Sequence, residues 1–389
     1  MSNEFSRKSK EDKPVIAICY DFDKTLSPDD MQAQGFIQSV GYDVKTFWES
    51  SNKLASDNNM DQNLAYMYTM LKTSVGKQSV TKNALNDYGS RVTLFPGVES
   101  WFSRIRDFGR QHNIIIEHYI ISSGLKEMIE GTKIANEFEH IYASSYYFDD
   151  CGIATWPAQA INYTNKTQFL FRIEKGILDI NDQGVNESFS NDKIRVPFRN
   201  MIYIGDSDTD IPCMKLVNSN GGHSIGVYNN ETKDKTKVIK MMRENRIRYF
   251  STSDYSENSE LNDLVKKIII RTESNEALEN IHIANQLEQN RIDRENDSLK
   301  NKAEKSNAIL SLEGSQSFIN THMVIGKINK ISDWTKDEIE SLFEIGNNNS
   351  QVCYLMGDLD VKKFYKRLLK SEACDKNTEN AKNIEKLVN

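Results

Sequence analysis

The stretch Val15-Ile16-Ala17-Ile18-Cys19-Tyr20-Asp21-Phe22-Asp23-Lys24-Thr25 decides the fold, because a short apolar run, Val15 to Cys19, leads almost directly into two carboxylates two positions apart. A brief run of this kind, bounded by polar turn residues, reads as a strand buried on both faces. In open parallel sheets ligands bind beyond the carboxyl ends of the strands. Asp21 and Asp23 therefore fall where chemistry is done. A carboxylate at a strand end can attack phosphorus, and a second one nearby can protonate the leaving oxygen and later activate water. The bland alternative is that the pair only shapes a strand-to-helix turn, where Asp is common.

Further apolar runs at Ile114 to Ile121, His140 to Tyr146 and Met201 to Ile204 are separated by stretches with helical spacing. Alternation of this kind predicts βα units and a doubly wound, Rossmann-like parallel sheet, an α/β fold. Residues 14–270 are read as this domain. Inside it, about residues 30–94, apolar positions such as Phe36, Ile37, Val40, Phe47, Trp48, Leu64 and Met67 recur every three to four residues, which predicts an inserted helical cap over the crevice. A helical subdomain without a gating role is the weaker alternative. Residues 1–13 are polar and charged and read as a flexible N-terminus.

Residues 271–315 are rich in Glu, Asn, Lys and Gln, with Leu278, Ile281, Leu287 and Ile292 spaced along them. So sparse a stripe, interrupted by Asn285 and Asn290, predicts an exposed helical connector rather than a coiled coil. Residues 316–389 form a small C-terminal helical extension, with a helix start at Ser332-Asp333-Trp334 and a break at Asn347-Asn348-Asn349-Ser350. None of its residues forms a catalytic constellation.

At 389 residues the chain has room for two domains. Its 49 basic and 56 acidic residues leave a formal charge of -7, which gives no electrostatic reason to expect nucleic acid or an anionic membrane. The five cysteines are scattered and show no CxxC pair, and no run of ~18 apolar residues suggests a membrane span. A cytoplasmic location is expected.

Three more elements follow in order. Ile120-Ile121-Ser122-Ser123-Gly124 is a strand ending in hydroxyls, where the Ser122 side chain and the Ser123 and Gly124 amides, placed at the start of a helix, can bind phosphate; a plain helix cap is the alternative. Lys166, ahead of the helical Thr167-Gln168-Phe169-Leu170-Phe171, can neutralise a phosphoryl group, with Lys175 as competitor. Ile202-Tyr203-Ile204-Gly205-Asp206-Ser207-Asp208-Thr209-Asp210 is a strand followed by an acidic turn. Magnesium takes oxygen ligands, so Asp21 and Asp206 suit it, with the backbone carbonyl of Asp23 as a third; Asp210 fits a role behind the ligands, holding waters or orienting the lysine. A calcium loop would need further ligands ending in a Glu, which Ile211-Pro212-Cys213-Met214-Lys215 does not supply. His223, in a loop after this turn, is a remote candidate for approach to the site.

Together these elements resemble the haloacid dehalogenase superfamily, in particular its phosphoserine-phosphatase-like branch. Leu94-Phe95-Pro96-Gly97-Val98 and Phe148-Asp149-Asp150-Cys151-Gly152-Ile153-Ala154 follow that branch's order as well, and the likeness spans about Val15 to Ile270. It implies that Asp21 forms an aspartyl phosphate, that Asp23 is acid and base, that Ser122 and Lys166 contact phosphate and that Asp206 binds magnesium. Ser123 stands where that branch has glycine, and Ser207-Asp208-Thr209 replaces a turn with glycine and a final asparagine. The expectation is a magnesium-dependent phosphatase acting on a small phosphorylated metabolite. The alternatives are a phosphomutase, or a regulatory protein of the same fold that binds a protein partner or itself through residues 271–389.

Overall fold

The computed structural model describes residues 5–190 and 193–389. It divides into two compact units, Met1–Glu279 and Asn280–Asn389. Seven strands form one sheet in the first unit: β1 Val15–Tyr20, β2 Ile115–Leu125, β3 His140–Phe148, β4 Ala154–Gln159, β5 Met201–Gly205, β6 His223–Tyr228 and β7 Tyr249–Thr252, in the order β4-β3-β2-β1-β5-β6-β7. All neighbours are parallel except β3 and β4. This is the doubly wound architecture expected. The chain leaves β1 for β2 on one side and returns to β5 on the other, so the order reverses at β1. A crevice opens at such a reversal, beyond the carboxyl ends of the strands.

Alternation along β1 splits the core into two layers. Ile16, Ile18 and Tyr20 pack on one face of the sheet, while Val15, Ala17 and Cys19 pack on the other. Polar residues inside the sheet are paired: the Tyr20 hydroxyl accepts from Trp101 Nε1 at 2.7 Å and meets His118 Nδ1 at 3.0 Å. Glu117, also buried, holds Arg195 at 2.7 Å and Lys8 at 2.6 Å.

Between β1 and β2 the chain forms four helices, α1 Phe36–Ser39, α2 Val44–Asn58, α3 Gln62–Ser74 and α4 Lys82–Gly89, before the crossover helix α5 Val98–Gln111. Asp43, Asp61 and Thr81 cap α2, α3 and α4 through their side chains. Phe36, Ile37, Phe47 and Met67 are buried within the core of this unit.

Several boundaries differ from those the sequence suggests. β2 runs on through Ser122-Ser123-Gly124 to Leu125, which pairs with Ser144 after a local irregularity, and the helix that follows, α6 Lys126–Glu130, has only five residues. The serines thus sit in extended backbone rather than on a helix N-terminus. Residues 1–4 lie outside the described residues, but from Arg7 onward the polar start is tied down: Arg7 pairs with Asp182 at 2.6 Å and the Lys8 amide donates to Gly176 at 2.9 Å. Salt bridges to buried carboxylates help hold it. His223 opens β6 instead of lying in a loop.

The remaining helices of the sheet unit are α7 Lys166–Lys175, α8 Ile211–Ser219 and α9 Thr236–Arg243, and the 54-residue α10 Glu260–Glu313 begins in it and ends in the second unit. Leu278, Ile281, Leu287 and Ile292 are exposed along α10. The second unit continues with α11 Phe318–Ile328, α12 Lys336–Asn348, α13 Ser350–Tyr354, α14 Leu359–Leu369 and α15 Glu379–Val388 around a core that includes Ile325, Leu342, Phe343, Phe364 and Ile384. The helix expected from Ser332 starts later. Thr335 caps α12 in a reciprocal box with Glu338, and Trp334 is buried instead. Among the described residues, no helix is long and apolar enough to cross a membrane.

Candidate active site

The register of β1 on β5 pairs Tyr20 with Ile204, and the Asp21 amide donates to the Ile204 carbonyl at 3.0 Å. That fixes Asp21 beside the Gly205-Asp206 turn. Beyond it the chain reverses sharply: the Phe22 carbonyl accepts from the amides of Thr25, Leu26 and Ser27, and Lys24 takes a left-handed φ of 57°. A non-glycine residue in that region is uncommon, so the turn is held by its surroundings. It projects the Asp23 carboxylate back to accept from the Met31 amide at 2.8 Å.

Glycines at two points let the parts approach. A Cβ on Gly124 would lie 2.9 Å from Asp23 Oδ2, and one on Gly205 would lie 2.6 Å from Asp210 Oδ2. Ser122, Asp23 and the strand end thus crowd around a position that only hydrogen can occupy.

Lys166 has no exposed surface. Its Nζ lies 2.8 Å from Asp210 Oδ1 and 3.3 Å from Asp21 Oδ1. Asp210 also accepts from the Tyr203 hydroxyl at 2.9 Å, the Ser207 hydroxyl at 2.9 Å and the Ser207 amide at 3.2 Å. With four donors its carboxylate is occupied, so it orients Lys166 and the acidic turn. Asp21, Asp206 and Asp210 each offer an oxygen within 4.8 Å of the others. Asp21 and Asp206 keep lone pairs free for a cation, which leaves Asp210 behind them.

Electrostatics point the same way. Burial, then the charge of Asp210, raise the Asp21 carboxyl to about 6, against the opposing pull of Lys166. Burial and Asp210 raise Asp206 to about 7, with Lys237 opposing. Asp23 is pushed well above the usual carboxylate range by burial, then by Asp30 and Asp21. For Lys166 burial alone would lower the pKa, but Asp21 and Asp210 together outweigh it and the amine stays charged. One buried lysine among this many carboxylates leaves excess negative charge, which a divalent cation would neutralise.

A cavity of about 220 Å³ lies in front of these groups, lined by Asp21, Asp23, Ser122, Ser123 and Asp206 and, across from them, by Gln32, Trp48, Asn63 and Tyr66. The last three come from α2 and α3, so the inserted helices form part of its wall. The Tyr66 hydroxyl donates to the Ser123 carbonyl at 2.8 Å.

Of the residues singled out from the sequence, Asp21, Asp23, Ser122, Ser123, Lys166, Asp206 and Asp210 are brought to one place. Lys175 is not: its ammonium donates to the carbonyls of Val185 and Glu187. His223 is not among the residues that line the site cavity: it stacks on Tyr249, and burial lowers its pKa to about 4. Asp208 is exposed. Tyr203, Ser207 and Lys237 were not anticipated. Tyr203 was visible as a polar tip inside an apolar strand two residues before Gly205, whereas Lys237, 3.6 Å from Asp206 Oδ2, carries no local signal.

No known family profile matches the chain. An uncharacterised protein of Borreliella burgdorferi is 28% identical over 290 residues, covering 67% of this chain and 99% of that protein. Among solved structures the chain is similar to a HAD family hydrolase from Salmonella enterica serovar Typhi, at 18% identity and TM-score 0.43 over 62% of this chain and 69% of that one. It is similar also to a phospho-aspartyl intermediate analogue of phosphoserine phosphatase, at 15% identity and TM-score 0.39 over 66% and 99% of the two chains. A probable phosphoserine phosphatase from Vibrio cholerae, unliganded, gives 12% identity and TM-score 0.43 over 66% of this chain and 64% of that one. What the site can do follows from its own geometry.

Proposed function

We propose that the chain is a haloacid dehalogenase-type phosphatase that hydrolyses a small phosphate monoester. The observation that carries this reading is the buried Lys166 bridging Asp21 and Asp210 at the carboxyl end of β1, with Asp23 one short turn away. In the first half-reaction an Asp21 oxygen forms a bond to phosphorus as the bond from phosphorus to the leaving oxygen breaks. Asp23, whose burial favours its protonated form, gives its proton to the departing alkoxide. In the second, water attacks the aspartyl phosphate, Asp23 takes back a proton, and inorganic phosphate leaves Asp21 free.

Lys166 and the Ser122 hydroxyl face the transferred group and hold its charge, while Asp210 fixes Lys166. Asp21 and Asp206 would hold a divalent cation, for which magnesium suits an all-oxygen site; when bound it screens the phosphoryl charge from the nucleophile. The cavity size favours a small metabolite as substrate.

The test is Asp21→Asn, read by phosphate release with magnesium present. Loss of at least ~10³-fold in kcat is expected, because a neutral amide cannot form the intermediate. Turnover within a few-fold of the parent would refute the assignment. Phosphate released to solvent, rather than moved within the substrate, separates a phosphatase from a phosphomutase.

A further inference from the structure

The cavity in front of Asp21 has two walls of different chemistry. The strand ends supply the charged groups, and the segment from Gln32 to Tyr66 supplies the other side. On that side Gln32 is 2% exposed, and its amide has no hydrogen-bond partner among the described residues. The Trp48 indole N–H is likewise buried and unpaired, as is the Ser123 hydroxyl between the two walls. Buried polar groups are ordinarily paired, so the Gln32 amide without a partner on this wall, with the buried unpaired Trp48 N–H and Ser123 hydroxyl beside it, marks where a ligand supplies the partners.

The two lysines on the cavity wall each face a carboxylate. Lys24 binds both oxygens of Asp30 at 2.9 Å, and Lys237 faces Asp206 at 3.6 Å. Among the described residues, no arginine lines the cavity. A leaving group with its own carboxylate would have to draw Lys24 from Asp30 or rely on the half-exposed Lys237 alone, and one with an ammonium would have to displace Lys24 from Asp30.

We propose that the substrate, on the phosphatase reading above, is the phosphate ester of a neutral, hydroxyl-bearing alcohol of a few carbons, a polyol or small sugar, read by Gln32 and Trp48. A hydroxyl both donates and accepts, as a glutamine amide does, and its oxygen accepts from an indole N–H. The rings of Trp48 and Tyr66, with centroids 5.8 Å apart and planes at 67°, offer apolar surface to its C–H groups.

The test measures kcat/KM of the full chain with magnesium on glycerol 3-phosphate, O-phosphoserine, 2-phosphoglycolate and p-nitrophenyl phosphate. Glycerol 3-phosphate should exceed O-phosphoserine and 2-phosphoglycolate by about tenfold or more, since an unpaired charge is rejected more strongly than a missing methylene. Gln32→Leu should lower the ratio of glycerol 3-phosphate to p-nitrophenyl phosphate by about tenfold, and Trp48→Phe by about threefold. A preference for either charged ester, or a ratio that neither substitution moves, overturns the inference alone. A parent protein that turns over none of the four esters overturns the phosphatase reading and the inference with it.

Discussion

The two units bury different things. In the sheet unit Asp21, Glu117, Lys166, Arg195 and Asp210 are among the buried side chains, each tied to an opposite charge. In the helical unit, among the described residues, no carboxylate is buried, the core is apolar from Ile325 to Ile384, and the buried Lys305 reaches the more exposed carboxylates of Asp333 and Glu338. Enclosing a charge is unfavourable unless it is paired and hydrogen-bonded. The sheet unit thus accepts a penalty at the place where chemistry is proposed, whereas the helical unit is organised for stability by packing and by the side-chain caps Ser317, Thr335, Asn349 and Thr378.

Phe364→Ala sharpens this contrast most. Phe364 has no exposed surface and meets Tyr365 edge-on at 5.2 Å. Its truncation should destabilise the helical unit by about 3–5 kcal/mol, read by urea unfolding, while phosphate release per folded molecule is unchanged. A proportional loss of turnover would break the separation of roles.

Acid separates the units more gently. Burial lowers the His118 pKa to about 3, well under the ordinary 6.5. Between those values the unfolded chain binds a proton that the folded chain refuses, so stability contributed above pH 6.5 is lost as pH falls. Asp21 and Asp206, raised by burial, act in the opposite sense, so His118 is isolated by comparing the parent with His118→Phe. The variant's stability should fall less steeply between pH 6.5 and 4, by up to about 1.4 kcal/mol per pH unit. Equal slopes would show that His118 charges within the fold. In the helical unit His322 carries the other sign: hydrogen bonding to Asp360 raises its pKa, so its contribution is full below the unfolded value and fades as pH rises through the folded one.

The smallest effect belongs to a cap. Thr335→Ala removes one half of the box with Glu338 and should cost the helical unit about 1 kcal/mol, seen as a modest shift in its urea midpoint. No shift would mean that packing alone defines the start of α12.

Legibility in the sequence tracks how local the cause is. β1, β2, β3 and β5 announce themselves as short apolar runs, and the helices between β1 and β2 follow from their spacing. β4 does not, because its outer face is exposed and Pro157 interrupts it; β7 has four residues and no alternation to read. The extent of β2 past Ile121 depends on pairing with β3, which no local signal encodes. At the site, Asp21, Asp23, Ser122, Lys166 and Asp206 could be picked out because residue types in order suggested a chemistry. Tyr203 and Lys237 gain their meaning only from carboxylates brought to them by the sheet, and Gln32 only from the helices that close over it.

The last residue before Asp21 is Tyr20, whose hydroxyl is gripped by Trp101 on one side and His118 on the other. On the proposed reading, a nucleophile mounted on so firm a backing has little room to recoil as phosphorus approaches. Its travel is confined to the two torsions of its own side chain. If an ester enters and phosphate leaves as proposed, any opening that admits them would fall to the opposite wall of the cavity, with the strand side serving as the anvil.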